Sequence, residues 1–558
     1  MAFLLLLLLL CVKVHRAAII ELNPGESISE AIRSSAAGDT LLLNDGVYFE
    51  SVRVLNHSVV LASRFILDAD TSHISGTVID AHAAVADTQS CVVSSLPTTD
   101  SLSLLGLTLR NGHGTIWHTD DVNYIAGGAI HVTQGRISIR NCCIEASGAE
   151  WGGGVFCITE NQSPDEIQIE LRYSRITNCR AEYYGGGAVI RTGAASLEFV
   201  TFEACTSNGT GGGLTNLSTS TTLLSCTLRS CAASLAAVEI SGVNSIVQGC
   251  VFEGNGNHRS SEFFGTCHLI SAGAVYVRNN VFRNNTTNDP AIWIHDFRRF
   301  GQPFFTGNII ESHTMTDRIG SVYFWNCEGE VCYNIVRDCY GERGAPLFPQ
   351  GSIRFHHNVF RDNRKETTDP NYASVIDLTN AQGSSVRMDS NLIQGNSSPV
   401  IAYDPFVPLP STVIARHNFW GHETGPYHYN LNPNGQGDTI YINNIEFEPW
   451  LTSPPDTAHS NVPDNPGRPS IPATWQILSV YPNPFNSTLR IDLAGFARDD
   501  FKIALFDLLG RECAVLHVGS TSGGSLSFPA PATLASGIYF LMTRDAHYSV
   551  ANKVVFLK

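Results

Sequence analysis

The sequence predicts an all-β chain in which a long parallel β-solenoid is followed by a small β-sandwich. A short motif, an apolar residue followed three positions later by Asn, Cys or His, recurs every 24–33 residues between residues 176 and 422. Small residues, mostly glycine, open a short strand between successive copies. Short apolar runs after a proline-rich stretch indicate the sandwich. A unit with so few strands cannot bury its own apolar face, but stacked units bury a continuous interior.

The N-terminal residues 1–18 predict a secretory signal peptide. An apolar run, Phe3 to Val12, is followed by Lys13, His15 and Arg16. The run is shorter than the roughly 20 residues that span a bilayer. We therefore expect a cleaved leader and no transmembrane segment in the mature chain.

Residues 19–451 carry the repeat, and its columns predict the interior. Like residues stand two positions before the apolar residue of successive copies: Cys142, Cys226, Cys250, Asn280, Asn308, Asn334, Asn358 and Asn391. Stacked amides hydrogen-bond along a solenoid axis, so we interpret the Asn column as structural rather than catalytic. Bridges between Cys residues of neighbouring coils stay open, but side chains that point the same way favour small buried thiols.

Two segments of the repeat region resemble a known family. Residues 23–54, NPGESISEAIRSSAAGDTLLLNDGVYFESVRV, resemble the capping helix and first coil of right-handed parallel β-helix proteins of the pectate-lyase type. The resemblance implies a helix from Ile28 to Ser35 over the open end of the core. Residues 418–451 are similar to the closing segment of secreted β-helix proteins. This superfamily contains lyases, hydrolases, adhesins and inert proteins, so the fold alone does not define an activity.

A proline-rich linker at residues 452–472 separates the solenoid from residues 473–558. The motifs of this last part are YPNPFN, DLLGRE, LASGIYFLMT and KVVFLK. They resemble the C-terminal sorting domain of the type IX secretion system, although Ser487 replaces the usual Pro or Ala. The resemblance implies an immunoglobulin-like sandwich, export by the type IX machinery, and a secreted or cell-surface location in a Gram-negative-type bacterium. The alternative is a related immunoglobulin-like module kept for structure.

Composition and motifs argue against several functions. A net charge of −16 disfavours nucleic-acid binding, and no paired Cys motif with His at zinc-finger spacing is present, so we expect no metal and no cofactor. The repeat region contains one lysine, Lys365, in a polar loop where we expect it to be solvated, which leaves only arginine as a lyase base. Gly112–Gly114 and Asp120–Asp121 stand in the wrong order for a polygalacturonase-like site.

The candidate ligand-binding site is an aromatic column. Aligning the strands that follow the glycine turns places Tyr276, Trp293, Tyr323 and Phe348 on one outer face, with His131 and Glu239 earlier in the same column. Polar and aromatic companions are Arg278, His295, Asp296 and Trp325. Rings beside Arg, His and Asp are typical of sugar-binding grooves. The alternative is a packed ladder, covered by the loop from Gly256 to Ile270.

Three functions remain open at this stage. The first is a non-catalytic surface protein that binds a glycan or another surface. The second is a secreted polysaccharide lyase or glycoside hydrolase that uses the face from Tyr276 to Phe348. The third is a stalk or adhesin. The low lysine content and the lack of a dense acidic cluster favour the first.

Overall fold

The computed structural model describes part of the chain, in two compact units, residues 1–457 and 458–558. The described residues are 17–83, 90–119, 122–159, 167–257, 267–287, 290–295, 298–315, 320–341, 344, 347–378, 385–403, 413–455, 475–481, 485–495, 501–507, 511–519, 524–531, 534–544 and 549–556. Most of the predicted signal peptide and of the predicted linker lies outside them. Among the described residues, no helix is long and apolar enough to cross a membrane.

The first unit is a right-handed parallel β-helix, which confirms the predicted fold class. A typical coil contains four strands in order: Ile130–Gln134, Arg136–Arg140, Cys143–Glu145 and Gly148–Trp151. Each strand pairs in parallel with its counterpart in the next coil. The first two belong to sheet A and form its first and second ladders, the third belongs to sheet B, and the fourth to sheet C.

Sheet A has 27 strands among the described residues. The strands of its first ladder are Val52–Val54, Val92–Ser95, Ile130–Gln134, Val155–Ile158, Ala188–Arg191, Leu214–Asn216, Ile292–His295, Val322–Trp325, Leu347–Pro349, Ile376–Asp377 and Ile401–Ala402. The strands of its second ladder are Ile19–Leu22, Thr40–Leu43, Val59–Ser63, Ser101–Leu105, Arg136–Arg140, Ile167–Arg172, Ala194–Glu198, Ser220–Leu224, Arg298–Thr306, Glu328–Cys332, Ile353–His356, Val386–Asp389, Val413–Ile414 and Ile445–Glu446. Two long strands, Val238–Gln248 and Cys267–Arg278, run through both ladders.

Sheets B and C have shorter strands. Sheet B contains Gly46–Tyr48, Thr77–Asp80, Thr108–Arg110, Cys143–Glu145, Arg175–Thr177, Thr201–Glu203, Thr227–Arg229, Val251–Glu253, Val281–Arg283, Ile309–Glu311, Ile335–Arg337, Val359–Arg361 and Leu392–Gln394. Sheet C contains Thr115–His118, Asn123–Ala126, Gly148–Trp151, Arg180–Tyr184, Thr206–Ser207, Ala232–Ala233, Gly256–Asn257, Thr286–Thr287, Thr314–Met315, Tyr340–Gly341 and Arg364–Lys365. A two-stranded sheet, Pro426–Tyr427 with Gly437–Thr439, lies within the closing segment.

A helix packs against the N-terminal end of the core, as predicted. It spans Ile28–Ser34, one residue shorter than expected, and buries Ile28 and Ile32 in the main apolar cluster. The carboxylate of Glu50 accepts the backbone N–H groups of Ile28 and Ser29 at 2.8 and 3.0 Å, which satisfies donors that a helix start leaves free. Two short helices, Phe65–Asp68 and Ser72–Gly76, and a 3₁₀ turn, Ala81–Ala83, follow.

Two ladders of small polar side chains fill the corners on either side of sheet B. In the first, Asn280, Asn308 and Asn334 each donate an amide N–H to the next Asn at 3.0 Å and to a backbone carbonyl of the preceding coil at 2.9 Å. In the second, Asn363 donates to Asn396 in the same way. The structural interpretation of the Asn column is confirmed.

Several cysteines, among them Cys142, Cys226, Cys250 and Cys339, share these ladder positions as thiols. The described cysteines are all free, and they are buried except Cys143, which is half-buried, and Cys513, which is exposed. The Sγ of Cys250 accepts the backbone N–H of Cys226 at 3.4 Å, where later coils use an Asn oxygen. The prediction of small buried residues, rather than bridges between coils, is confirmed for the described residues.

The lysine expectation was wrong. Lys365 is buried, at 8% exposure, and its Nζ donates to the backbone oxygen of Asp369 at 2.7 Å. Desolvation lowers the pKa of its ammonium group. The polar sequence around it concealed the strand Arg364–Lys365, which is an edge element of sheet C.

The second unit is a β-sandwich. One sheet contains Trp475–Tyr481, Thr488–Gly495 and Gly524–Pro529. The other contains Lys502–Phe506, Glu512–Val518, Gly537–Arg544 and Ser549–Phe556. All pairings among these strands are antiparallel. Both sheets contribute to one apolar core, through residues such as Ile491 and Leu541.

Candidate functional site

Ion pairs cover two outer faces of the β-helix. On the second ladder of sheet A, Arg140 contacts Glu170 at 2.6 Å and Arg172 contacts Glu198 at 2.9 Å. On sheet B, the guanidinium of Arg337 binds the carboxylate of the preceding coil, Glu311, at 2.8 Å. These charges lie on successive coils and neutralise one another along the axis, so they support coil stacking rather than a ligand.

The first ladder of sheet A instead carries a partly aromatic outer column without ion pairs among its described residues. The strand registers align His131, Phe156, Val189, Thr215, Glu239, His268, Trp293, Tyr323 and Phe348. The column confirms the predicted alignment of His131, Glu239, Trp293, Tyr323 and Phe348. It also includes residues that the repeat did not reveal, His268 among them.

Tyr276 does not belong to this outer column, and that part of the predicted alignment was wrong. Tyr276 pairs with Ile246 on the second ladder, and Arg278 pairs with Gln248 and Thr306. The guanidinium of Arg278 lies 4.4 Å above the Tyr276 ring. The small residues Ala272 to Ala274 resemble the start of a strand in the sequence, but they lie inside the strand Cys267–Arg278. His268, near the beginning of that strand, occupies the position in the outer column.

The remaining predicted aromatic residues pack against one another. Trp293, Tyr323 and Phe348 are only 1%, 3% and 6% exposed. The ring centroids of Trp293 and Tyr323 are 5.1 Å apart, and those of Tyr323 and Phe348 are 6.0 Å apart. Such burial favours the packed-ladder alternative, since a buried ring offers no free face to a sugar.

The companions of this ladder are less deeply buried. The half-buried Trp325 packs against the three rings. The Nε2 atom of half-buried His295 lies 3.0 Å from Nε2 of His268, and burial lowers the pKa of His268 to about 3. Asp296 lies outside the described residues. A ligand-binding role for this predicted set stays a prediction.

A second aromatic cluster, which the sequence did not reveal, lies at the corner between sheet C and the first ladder. It consists of Trp117, Tyr124, Trp151, Tyr183 and Tyr184. The hairpin of Thr115–His118 and Asn123–Ala126 places Trp117 opposite Tyr124. Trp151 lies one coil further, with its ring centroid 5.7 Å from Trp117 and 4.4 Å from Tyr184.

This aromatic cluster is accessible on its outer side. Tyr183 and Tyr184 are 44% and 37% exposed, and Trp117, Tyr124 and Trp151 are half-buried. On the inner side, Trp117 and Trp151 pack against a small apolar group that includes Phe156. The rings are therefore held from below while part of their faces remains open to solvent.

A cleft of about 410 Å³ adjoins the aromatic cluster and shares two tyrosines with it. Its lining residues are Glu182, Tyr183, Tyr184, Asn208, Gly209, Thr210, Ser234 and Leu235. The amide of Asn208 donates to the carboxylate of Glu182 at 3.0 Å, so these two polar side chains orient each other. The cleft thus combines aromatic rings with hydroxyl, amide and carboxylate groups.

The outer column passes beside this cleft at Thr215 and Glu239. The hydroxyl of Thr215 donates to the backbone oxygen of Thr210, which lines the cleft, at 3.3 Å. Glu239 follows Thr215 in the column, and its Oε2 is buried with no hydrogen-bond partner among the described residues. Burial raises the pKa of this carboxyl, and the neighbouring Thr210 side chain partly opposes the shift.

The sequence contained one usable signal for this site. Six Trp and Tyr residues fall between residues 117 and 184, about twice the density of these residue types in the whole chain, which has 7 Trp and 17 Tyr among 558 residues. The sequence repeat did not reveal these aromatic residues, because the strands of sheet C follow corners whose sequence varies from coil to coil. Among the described residues, no group of three or more His, Cys, Asp or Glu side chains is arranged to hold a metal ion.

Comparison with known proteins identifies the C-terminal part of the chain. Residues 479–557 match the family described as "Secretion system C-terminal sorting domain". This match confirms the recognition of the tail and shows a secreted or cell-surface protein that the type IX machinery handles. No curated protein matches the chain.

Several solved structures are similar to the chain. Pectin methylesterase PemA from Erwinia chrysanthemi is 12% identical, with a TM-score of 0.21 over 59% of this chain and 90% of that one. The enzymatically active domain of bacteriophage CBA120 tailspike protein 2 is 10% identical, with a TM-score of 0.24 over 97% and 76%. An alginate lyase from Paenibacillus is 9% identical, with a TM-score of 0.14 over 77% and 99%. At these values the similarities carry no argument about substrate or activity.

Proposed function

We propose that this type IX-sorted β-helix protein binds a polysaccharide, without cleaving it, in the cleft beside the aromatic cluster. The observation that carries the proposal is the open pair Tyr183 and Tyr184 at the cleft, supported from below by Trp151. Aromatic faces stack on the C–H faces of pyranose rings, while nearby polar groups bind the hydroxyls. Export to the cell exterior brings such a site into contact with extracellular glycans.

The corner between sheet C and sheet A suits an extended ligand. From Phe156 to Trp293 the outer column advances five coils, which corresponds to about 24 Å along the axis at roughly 4.8 Å per coil. The aromatic cluster lies at one end of this distance and the half-buried Trp325 and His295 lie near the other. A chain polymer that follows the axis meets both regions and the cleft between them.

Binding is tested with Tyr183→Ala and Tyr184→Ala in the full chain. For a polysaccharide that the wild-type chain binds, loss of one stacking ring is expected to weaken binding about tenfold, since a central aromatic contact contributes more than 1 kcal/mol. Tyr173→Ala is the matched control, because Tyr173 is also 44% exposed but lies between the second ladder of sheet A and sheet B, on a different corner from the cleft. Affinity electrophoresis or isothermal calorimetry with a polysaccharide panel measures the change.

The control separates binding from folding. All three variants should keep the wild-type unfolding midpoint to within the small changes typical of surface substitutions. If Tyr173→Ala weakens binding as much as Tyr184→Ala does, or if neither cleft variant alters it, the cleft is not the binding site.

A second candidate function, glycoside hydrolysis, is favoured by one observation, the half-buried carboxyl of Glu239. A raised pKa keeps a carboxylic acid protonated nearer neutral pH, as a general acid requires. Incubation with the same panel, followed by an assay for new reducing ends, tests this function. Cleavage that Glu239→Gln abolishes, while polysaccharide binding persists, would replace the non-catalytic proposal.

A further inference from the structure

We infer that the cleft selects uncharged polysaccharides and rejects polyuronates, and that Glu182 is the residue that sets this selectivity. The inference rests on the proposed function, since it names the class of glycan that the cleft accepts. It concerns charge, which the aromatic cluster alone does not determine.

The polar groups that line the cleft are suited to hydroxyls. Glu182 is exposed, and one of its carboxylate oxygens, Oε2, accepts a hydrogen bond from the side-chain amide of Asn208. A carboxylate accepts several hydrogen bonds, so the group retains capacity for sugar hydroxyl donors. The hydroxyl groups of Tyr183 and Ser234 add donors and acceptors of the same kind.

Among the described residues that line the cleft, no positive charge is available to a uronate carboxylate. The described lining residues include one carboxylate, Glu182, and no lysine or arginine. The arginines of the two bordering strands, Arg180 and Arg191, stand at the opposite ends of those strands from the cleft. A polyuronate would therefore bring like charges together at Glu182 and lose the hydration of its own carboxylates.

Three arginines on other faces of the β-helix are already engaged in ion pairs. Arg140 and Arg172 bind glutamates on the second ladder, and Arg337 does so on sheet B. The whole chain carries 35 basic against 51 acidic residues, which adds a repulsive field for an anionic polymer. Both the local and the overall charge thus favour a neutral ligand.

Matched polysaccharide pairs test the inference with the full chain. Suitable probes are hydroxyethyl cellulose against carboxymethyl cellulose, dextran against carboxymethyl dextran, and fully methyl-esterified galacturonan against polygalacturonate. Where the chain binds a pair, it is expected to bind the neutral member at least about tenfold more tightly than the charged member at low salt. Glu182→Gln keeps the shape and removes the charge, so it should bring the two affinities to within about threefold.

Salt dependence gives a second readout. Raising the ionic strength to 0.5 M should strengthen binding of the charged member and leave the neutral member nearly unchanged, because salt screens repulsion between exposed charges. Asn208→Asp adds a second carboxylate beside Glu182 and should widen the preference for the neutral member.

The outcomes are distinguishable. Equal or tighter binding of the charged member, with no response to Glu182→Gln, overturns the inference and leaves polysaccharide binding intact. Retention of neither member of any pair overturns the proposed function and, with it, the inference. A neutral preference that Glu182→Gln removes supports both.

Discussion

Replacing Asn334 by alanine tests the interior ladder that holds the coils in register. Asn334 is 1% exposed and lies in the middle of the first Asn ladder. Its Oδ1 accepts the backbone N–H and the side-chain amide of Asn308 at 2.9 and 3.0 Å. Its own amide donates to the backbone oxygen of Phe305 at 2.9 Å and to Oδ1 of Asn358 at 3.0 Å. Alanine removes all four hydrogen bonds at once.

The magnitude follows from what is left without a partner. The buried N–H of Asn308 loses its acceptor, at a cost of about 1–3 kcal/mol, and each of the other three lost bonds contributes about 0.5–1.5 kcal/mol. Partial relaxation reduces the sum, so we expect a loss of about 3–5 kcal/mol in the free energy of unfolding. Asn334→Cys should lose less, because Cys250 already accepts a backbone N–H at the equivalent position.

Urea unfolding followed by far-UV circular dichroism measures the change. Hydrogen exchange adds local information, since the amide of Asn308 should exchange about a hundredfold faster in Asn334→Ala. Asn284→Gly is the control, because Asn284 is exposed and has a φ of 53°, which glycine adopts without strain. A loss below 1 kcal/mol in Asn334→Ala, or an equal loss in the control, would refute the ladder argument.

Two further predictions concern titration and thiol reactivity. The ring of His73 contacts Asp45 at 2.7 Å and Asp68 at 3.2 Å, and the hydrogen bond to Asp45 is the main cause of the raised pKa of His73 in the folded state. The contribution of this raised pKa to folding stability is complete below about pH 6.5 and is lost as the pH rises through the folded-state pKa. Urea midpoints at pH 5.5 and 8.5 should therefore differ more in the wild type than in His73→Gln; an unchanged difference contradicts the assignment. In the native chain, iodoacetamide should label exposed Cys513 and spare Cys142, whose thiol pKa burial raises to about 12; mass spectrometry that finds both labelled equally counts against the buried ladder.

The interior of the β-helix could be predicted from the sequence because each coil repeats the same requirement for side chains at its corners. A small polar residue must follow the apolar residue of sheet B and satisfy backbone groups of its neighbours. Asn363 and Cys339 show that amide and thiol side chains meet this need in adjacent coils. The column is therefore visible as a spacing, without knowledge of any distant contact.

The outer faces were less predictable. Tyr276 followed the expected local pattern, yet the long strand Cys267–Arg278 places it on the second ladder. The alternation along one strand tells inside from outside, but a shift in where the strand begins moves every residue to a different column. Trp293 was placed correctly in its column, but its burial depends on neighbouring rings that the repeat does not describe.

The sequence by itself determined the stacked β-helix, its Asn and Cys ladders and the secretion tail, because all of these depend on local repeats or on ordered motifs. Only the tertiary structure decided which aromatic rings are open to a ligand. Trp293 and Tyr184 are equally aromatic in the sequence, but the first is 1% exposed and the second 37%. The difference arises from which side chains the adjacent coils place against each ring, and this packing is what places the cleft beside Tyr184 rather than above Trp293.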